Sequence, residues 1–469
     1  MLDLDRSRTK IFMANSMNLP ADAGSRPSPL SKFLGSDEAL SRLARLTGFQ
    51  RREPRKITAG AFLRSLVHAA LHKSGSIRSI AVRAGLAVND TISRQAFWKR
   101  LGHRSHEFLS ACLARVLAGT PEVTGAALAC LPPGIHRVLV ADSTLLALHP
   151  SLAKIFPGAS NQSGASQASA RVQAVLDLVT GRFVDFQIGS FRDNDQKAAS
   201  WVAGLVRRGD LILRDLGYFT LGSLRMIAAA KAYFITRLRL DTSLFHPDGT
   251  TFDLLAALRA TSGDLLEAQV LAGAGEKLPV RLVAVRLDPA QAAERRRKAR
   301  QDRDKRLKWT ARRAELLGWS ITLDNLPSGT SARRIYPIYA LRWRVEIVFK
   351  SWKTHLGMGR LVEGKFGAEQ VRALLCAAMI GAALAAALHA WMGLRETLSE
   401  PDDGTSPAPL SLLKTTPLIT ELLGSALLPA AADPQSVLRQ IAYHCRYDKR
   451  RSRMNFEQSF LAAFSSVHA

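Results

Sequence analysis

Between His136 and Leu238, apolar runs of two different periods follow one another in an order that few folds accommodate. His136 to Ala141 is a β-branched run, and Ala170 to Leu178 and Phe183 to Ile188 alternate apolar and polar residues around Thr180-Gly181. This pattern predicts a strand followed by an antiparallel hairpin. Helical spacing from Asp195 to Val206, a short apolar run from Leu211 to Leu213, helical spacing from Leu221 to Lys231 and an apolar run from Tyr233 to Leu238 complete the series. Three strands, a helix, a strand, a helix and a strand call for an α/β domain built on a mixed sheet. Asp142 follows the first strand and Asp215 the fourth. Each acid has an ordinary explanation as a turn or cap residue, and only if the first and fourth strands are neighbours in the sheet would the two stand side by side.

The stretch Tyr336 to Leu356 adds a third acid. Tyr339, Arg342, Glu346 and Lys353 are three, four and seven positions apart, which on a helix keeps all four within about 60° of arc. Ile338, Leu341, Val345, Val348 and Trp352 recur on the other side, so the helix is expected to seat on a core and hold its polar stripe outward or into a cleft. Pro337 suits the first turn, where its missing N–H breaks no intrahelical bond. Taken alone, the stripe also fits a solvated face carrying a weak Arg342–Glu346 pair.

The interval Tyr-x2-Arg-x3-Glu-x6-Lys, with Arg342-Trp343 and Phe349-Lys350 around it, resembles the YREK signature of DDE transposases of the fourth insertion-sequence family. The order Asp142, Asp215, Glu346 and the Asp215-x-Gly217-Tyr218 context are similar to that family as well. The resemblance implies an α/β, ribonuclease-H-like mixed sheet with helices, a β-rich insertion before the last catalytic helix, and helical N-terminal and C-terminal domains. It implies that Asp142, Asp215 and Glu346 are catalytic and bind metal, that Tyr339 and Arg342 hold terminal backbone phosphates, and that Lys353 meets the strand further along. Trp319 is a candidate for stacking on a flipped base, against the plainer reading of a core tryptophan. The function implied is that of a bacterial insertion-sequence transposase, cytoplasmic and nucleoid-associated. It would bind terminal inverted repeats in double-stranded DNA, cut them, and join the freed 3′-hydroxyl to target DNA, cut-and-paste, as a homodimer in the DNA complex.

Three carboxylates in one cleft repel one another unless a cation neutralises them. Hard oxygen ligands suit Mg²⁺ or Mn²⁺, and two ions can activate an attacking oxygen and stabilise a leaving one at phosphorus. No Ser-His-Asp order, Gly-rich phosphate loop or Cys/His zinc set competes with this. A non-catalytic DNA-binding protein derived from a transposase is the alternative; it would keep the basic surface and lose an acid.

Charge agrees with a nucleic-acid partner. Lys plus Arg number 65 against 39 Asp plus Glu, a net +26, and the bases are spread through long segments instead of clustering beside an apolar span. Cys112, Cys130, Cys376 and Cys445 lie far apart and match no zinc spacing, which suits a reducing cytoplasm. Residues 1–55 are expected to form a flexible arm, the first thirty of them without an apolar segment of signal-peptide length. Residues 56–125 read as a helical, DNA-end-binding domain, its pair Ser76–Leu86 and Ser93–Leu101 suggesting a helix-turn-helix with Arg94, Lys99 and Arg100 toward DNA.

Residues 126–398 read as the catalytic domain, with an insertion at about 240–330 too long for a simple connection. Its expected strands are Leu265–Ala272, Leu278–Leu287 and Trp319–Leu323. Glu294–Arg313 is expected to be one helix, carrying eleven bases against three acids and facing solvent or phosphates. Ala373–Leu388 reads as a buried core helix, short of the roughly 20 residues of a membrane span. A turn-rich linker leads to a helical C-terminal domain at 410–469, whose Arg446–Arg453 run faces DNA or solvent.

Overall fold

The computed structural model describes residues 34–73, 75–119, 131–159, 167–301, 309–398, 410–426 and 454–464. Among the described residues five helices come first: α1 (Asp37–Leu46), α2 (Ala59–Leu71), α3 (Ile77–Val88), α4 (Arg94–Trp98) and α5 (His103–Ala118). Ser36, Thr58 and Ser93 cap three of them, each side chain accepting from a first-turn N–H. Helix α1 falls inside the expected flexible arm, and Leu40 and Ala44 bury against α2 and α5. Its helical spacing is present in the sequence but sits beside the Ser- and Pro-rich stretch that dominated the reading of this region.

The sheet starts with β1 (Arg137–Leu148), β2 (Ala168–Asp177) and β3 (Arg182–Ser190) and continues through α6 (Asp195–Gly204), β4 (Asp210–Arg214), α7 (Leu221–Ala229) and β5 (Tyr233–Arg237). Gly181, at φ +65°, turns the β2–β3 hairpin. The insertion adds β6 (Leu244–Phe245), α8 (Leu254–Ala260), β7 (Leu265–Ala272), β8 (Leu278–Arg286), α9 (Pro289–Arg300), α10 (Ala311–Leu316) and β9 (Trp319–Asp324). All nine strands belong to one mixed sheet, in the order β3-β2-β1-β4-β5-β9-β8-β7-β6. β1 is antiparallel to β2 and parallel to β4, and β4 is parallel to β5. The insertion extends this sheet, because β9 pairs antiparallel with β5.

The expected Glu294–Arg313 helix is replaced by α9 and α10, residues 302–308 lying outside the described residues. Asp288 caps α9 and Pro289 opens it, a start signal upstream of the charged run.

Between β8 and β9 lies a buried ion pair. Arg281 Nη2 donates to Asp324 Oδ1 at 2.9 Å, with Arg281 4% and Asp324 0% exposed. Arg281 also donates to the Thr330 carbonyl at 2.6 Å, and Asp324 accepts from the Leu326 N–H. The pair thus fastens the loop that leads to α11 (Ile335–Ala340) and α12 (Arg344–His355).

Helices α13 (Met358–Val362), α14 (Ala368–Leu398), α15 (Leu412–Ala426) and α16 (Phe456–Phe464) complete the described chain; the Arg446–Arg453 run lies outside it. The stretch Ala368–Gly393 of α14 is long and apolar enough to cross a membrane, but 83% of its apolar window is buried, against α2, α5, α13, α15 and β3. It is a core helix, as expected, and longer than the apolar run alone suggested. The first helices, α14 and one face of the sheet share a single hydrophobic core. The opposite face, with α6, α7 and the insertion, carries a second.

Candidate active site

Strand β1 does not end before Asp142. It pairs with β2 from Leu139 to Leu148, but with β4 only as far as Ala141↔Arg214. The antiparallel hairpin carries the backbone of Asp142-Ser143-Thr144, which in sequence looks like a turn. Asp142 therefore lies one residue past the point where β4 leaves the sheet. Asp215 is the residue at which β4 gives way to a 3₁₀ turn, Leu216–Tyr218. The two acids are next in register on adjacent parallel strands, which run about 4.8 Å apart.

Strand alternation puts them on one face. Val138, Val140, Leu211 and Leu213 belong to the core shared with α12, whereas Leu139, Ala141 and Ile212 belong to the other. Asp142 and Asp215 continue the first set at period two.

Glu346 comes to that face from α12. Ile338, Leu341, Val345, Val348 and Trp352 are all buried, so the apolar side of the stretch seats on the core as expected. The stretch is not one regular helix, because a 3₁₀ turn, Leu341–Trp343, joins α11 to α12. Arg342, inside that turn, donates from Nη2 to Glu346 Oε1 at 2.9 Å and places Nη1 3.9 Å from Asp142 Oδ2. Its side chain is 14% exposed. Burial opposes the charged guanidinium, yet Asp215, Tyr339 and Glu346 hold its pKa above the ordinary arginine value.

Arg342 thus links Asp142 to Glu346 and feels Asp215. The group of described His, Cys, Asp and Glu ligand atoms lying within 4.8 Å of one another is a different one, His103, His106 and Glu369. Glu369 is there paired with Arg372.

Burial pushes the Asp142 carboxyl up to about 6, with Asp195 and Asp215 adding to the rise and the Ser143 N–H and Arg342 opposing it. The folded chain then holds a proton between pH 4 and 6 that the unfolded chain releases. This group contributes most to stability at low pH, and that contribution is lost as pH rises through about 6. Its size is about 3 kcal/mol at most. Asp142→Asn is accordingly expected to melt above the wild type in chelator at pH 7, and the gap should close as pH falls toward 4; parallel melting curves at pH 7 and 4.5 check this.

Tyr339 is 8% exposed, its hydroxyl beside the Arg342 guanidinium. Burial pushes its pKa up to about 12, so it remains a neutral donor. Lys353 is exposed near the end of α12. Trp319 is 8% exposed, with the Arg286 guanidinium 4.3 Å from its ring centroid. That indole serves the core and the Arg286 stack, which corrects the base-stacking expectation. Trp343, which sequence reading passed over as mere context, is 59% exposed next to Arg342. Of the helix-turn-helix bases, Arg94 and Lys99 are exposed, while Arg100 turns inward to the Ile57 carbonyl.

The sequence also hid a cluster around Asp195. Its Oδ1 accepts from Ser143 Oγ at 2.7 Å, Gln173 Nε2 at 3.0 Å and Arg171 Nη1 at 3.3 Å. Tyr218 Oη donates to Gln173 Oε1. Beneath Asp215, the fully buried Arg214 donates to Ser223 Oγ at 2.8 Å and to the Tyr218 carbonyl, and burial lowers its pKa to about 10. Asp195 follows Asn194, a helix cap, and in sequence it is indistinguishable from an ordinary first-turn acid.

A sequence model of the transposase DDE domain matches residues 133–380, more than half of the chain. The chain is similar to the transposase for insertion sequence element IS231B of Bacillus thuringiensis subsp. berliner, 28% identical over 339 residues covering 67% of this chain and 70% of the relative. It is also similar to the putative transposase InsL for IS186A of Escherichia coli K12, 27% identical over 367 residues covering 75% and 92%. A solved piggyBac transposase synaptic complex with hairpin DNA aligns at a TM-score of 0.44 and 12% identity, covering 91% of this chain and 86% of that one. The family match defines an enzyme that cleaves and transfers DNA. The chain belongs to the transposase DDE domain family.

Proposed function

We propose that this enzyme is an insertion-sequence transposase that binds its element's terminal inverted repeats and cuts and rejoins DNA, cut-and-paste, at a centre made by Asp142, Asp215 and Glu346. The observation that carries the reading is the register of β1 and β4, which sets two acids on the sheet face that α12 covers with the third. The order β3-β2-β1-β4-β5, antiparallel through β1 and parallel beyond it, supports a ribonuclease-H-like core. The helices before residue 125 would form an end-binding unit and those after 410 a C-terminal unit. The catalytic domain between them would carry the insertion at about 240–330.

The donor set fits a hard divalent cation: carboxylate oxygens from three segments, one of them raised in pKa by burial and by its acidic neighbours, a cost that a bound cation would offset. Two Mg²⁺ or Mn²⁺ ions bound by Asp142, Asp215 and Glu346 would supply Lewis-acid activation of water or a 3′-hydroxyl and charge stabilisation at phosphorus. Arg342 balances the acids in their absence, and its fork is shaped to turn to a backbone phosphate. Tyr339, beside Arg342, would bring its hydroxyl to the same phosphate. Trp343 offers an exposed ring on which an unpaired base can stack. DNA would continue over Lys353 and over a cleft of about 400 Å³ lined by Arg78, Arg94, Lys365, Trp98 and Phe366. A homodimer in the DNA complex completes this reading.

Cleavage of a duplex carrying the element's own terminal repeat, with Mg²⁺ and with chelator, tests it. Metal-dependent cutting at the repeat end is the expected result, and binding without cutting would favour the non-catalytic alternative. Lys353→Ala is expected to weaken end binding and to reduce the slope of log K against log salt by about 1, read from binding isotherms at several salt concentrations.

A further inference from the structure

We propose that Asp195 is the positioning residue of the acid pair, tying Ser143 beside Asp142 to the turn that follows Asp215. The proposal rests on the metal-centre reading above and deepens it. Ser143 and Gln173 point to the sheet face opposite the acids, the parity of Leu139 and Ala141 on β1 and of Val175 on β2. Asp195 opens α6 on that rear face, and one oxygen gathers the Ser143 hydroxyl, the Gln173 amide and the Arg171 guanidinium. Arg171 Nη1 also donates to Ser143 Oγ at 2.8 Å, and Nη2 to the Phe191 carbonyl at 3.3 Å.

The other oxygen lies against Gly217. A Cβ added there would come within 2.9 Å of Asp195 Oδ2 and 3.2 Å of its Cβ. Two residues of the turn that follows Asp215 are thereby set from Asp195, since Gly217 lets the carboxylate approach and Tyr218 reaches Gln173. The Asp-x-Gly-Tyr pattern at residues 215–218 has a physical reason: a small residue where the rear carboxylate presses, and a phenol where the amide waits.

Asp195 thus holds β1 and β2 through side-chain hydrogen bonds and the end of β4 through close packing. It acts through Asp142 and Asp215 and has no assigned contact with DNA. Groups that orient metal ligands from behind change affinity by about 10- to 100-fold when removed.

The test is Mn²⁺ binding to the full chain without DNA, by calorimetry or electron paramagnetic resonance, alongside melting in chelator. Asp195→Asn keeps the shape, removes the charge that orders Arg171, and is expected to weaken Mn²⁺ at least about tenfold. The Mg²⁺ concentration for half-maximal cleavage should rise in parallel. Ser143→Ala, which removes the hydroxyl between Asp195 and Arg171 but keeps the Gln173 and Arg171 bonds to Asp195, is expected to shift Mn²⁺ affinity in the same direction by less. Wild-type Mn²⁺ affinity in both variants would overturn the proposal, as would a lowered melting temperature with unchanged affinity. Wild-type protein that takes up no Mn²⁺ would overturn the metal centre and this proposal together.

Discussion

Asp142→Asn, Asp215→Asn and Glu346→Gln are each expected to reduce end cleavage by about a thousandfold or more while leaving DNA binding intact or slightly tighter. The size follows from the chemistry. If the three acids hold the metal as proposed, removing one forfeits several kcal/mol of charge stabilisation in the transition state, and about 4 kcal/mol is three orders of magnitude in rate. The retained binding follows from electrostatics, because each change removes a negative charge from the surface proposed to meet phosphate. Cleavage and gel-shift assays on the same repeat duplex check the two halves. Glu346→Gln has a second consequence: Arg342 loses its carboxylate partner at 2.9 Å and keeps the more distant Asp142 at 3.9 Å and the charge of Asp215. A variant that cleaves at the wild-type rate would remove its residue from the catalytic set.

The second large effect lies away from the chemistry. Asp324→Ala leaves Arg281 buried, with Glu267 at 3.3 Å, a residue 46% exposed, as its remaining carboxylate partner. Stranding a buried charge costs about 3–5 kcal/mol. The loop from Leu326 to Thr330 is bound to both members of the pair, so the seat of α11 and α12 loosens with it. The expected result is a lower urea midpoint together with reduced cleavage. Asp324→Leu combined with Arg281→Met removes both charges and is expected to recover most of the stability. Equal instability of the single and double variants would show that packing, not charge, sets the cost.

The strands and helices from β1 to β5 were legible because period-two and period-3.6 patterns there are uninterrupted. The positions of Asp142 and Asp215 followed from the same pattern. The length of β1 was not legible, since Asp-Ser-Thr looks like a turn and only pairing with β2 makes it strand. The 3₁₀ turn at Leu341–Trp343 was hidden too, because apolar residues at helical spacing tolerate a local tightening without any change of residue type. Asp195, Gln173 and Arg214 escaped for a different reason. Their partners come from separate segments of the chain, and nothing in their own surroundings distinguishes a capping acid, a strand glutamine or a strand arginine from a buried network. The fused sheet escaped likewise, as β9 returns to β5 across more than eighty residues.

Localised oxidation tests the central claim most directly. Fe²⁺ bound in place of Mg²⁺, with ascorbate and peroxide, generates radicals that cut the polypeptide beside the ion. Three cuts are predicted together, near Asp142, Asp215 and Glu346, all suppressed by excess Mg²⁺ and all lost in Asp215→Asn. Cuts confined to the His103, His106 and Glu369 cluster, or a pattern unchanged in Asp215→Asn, would contradict it.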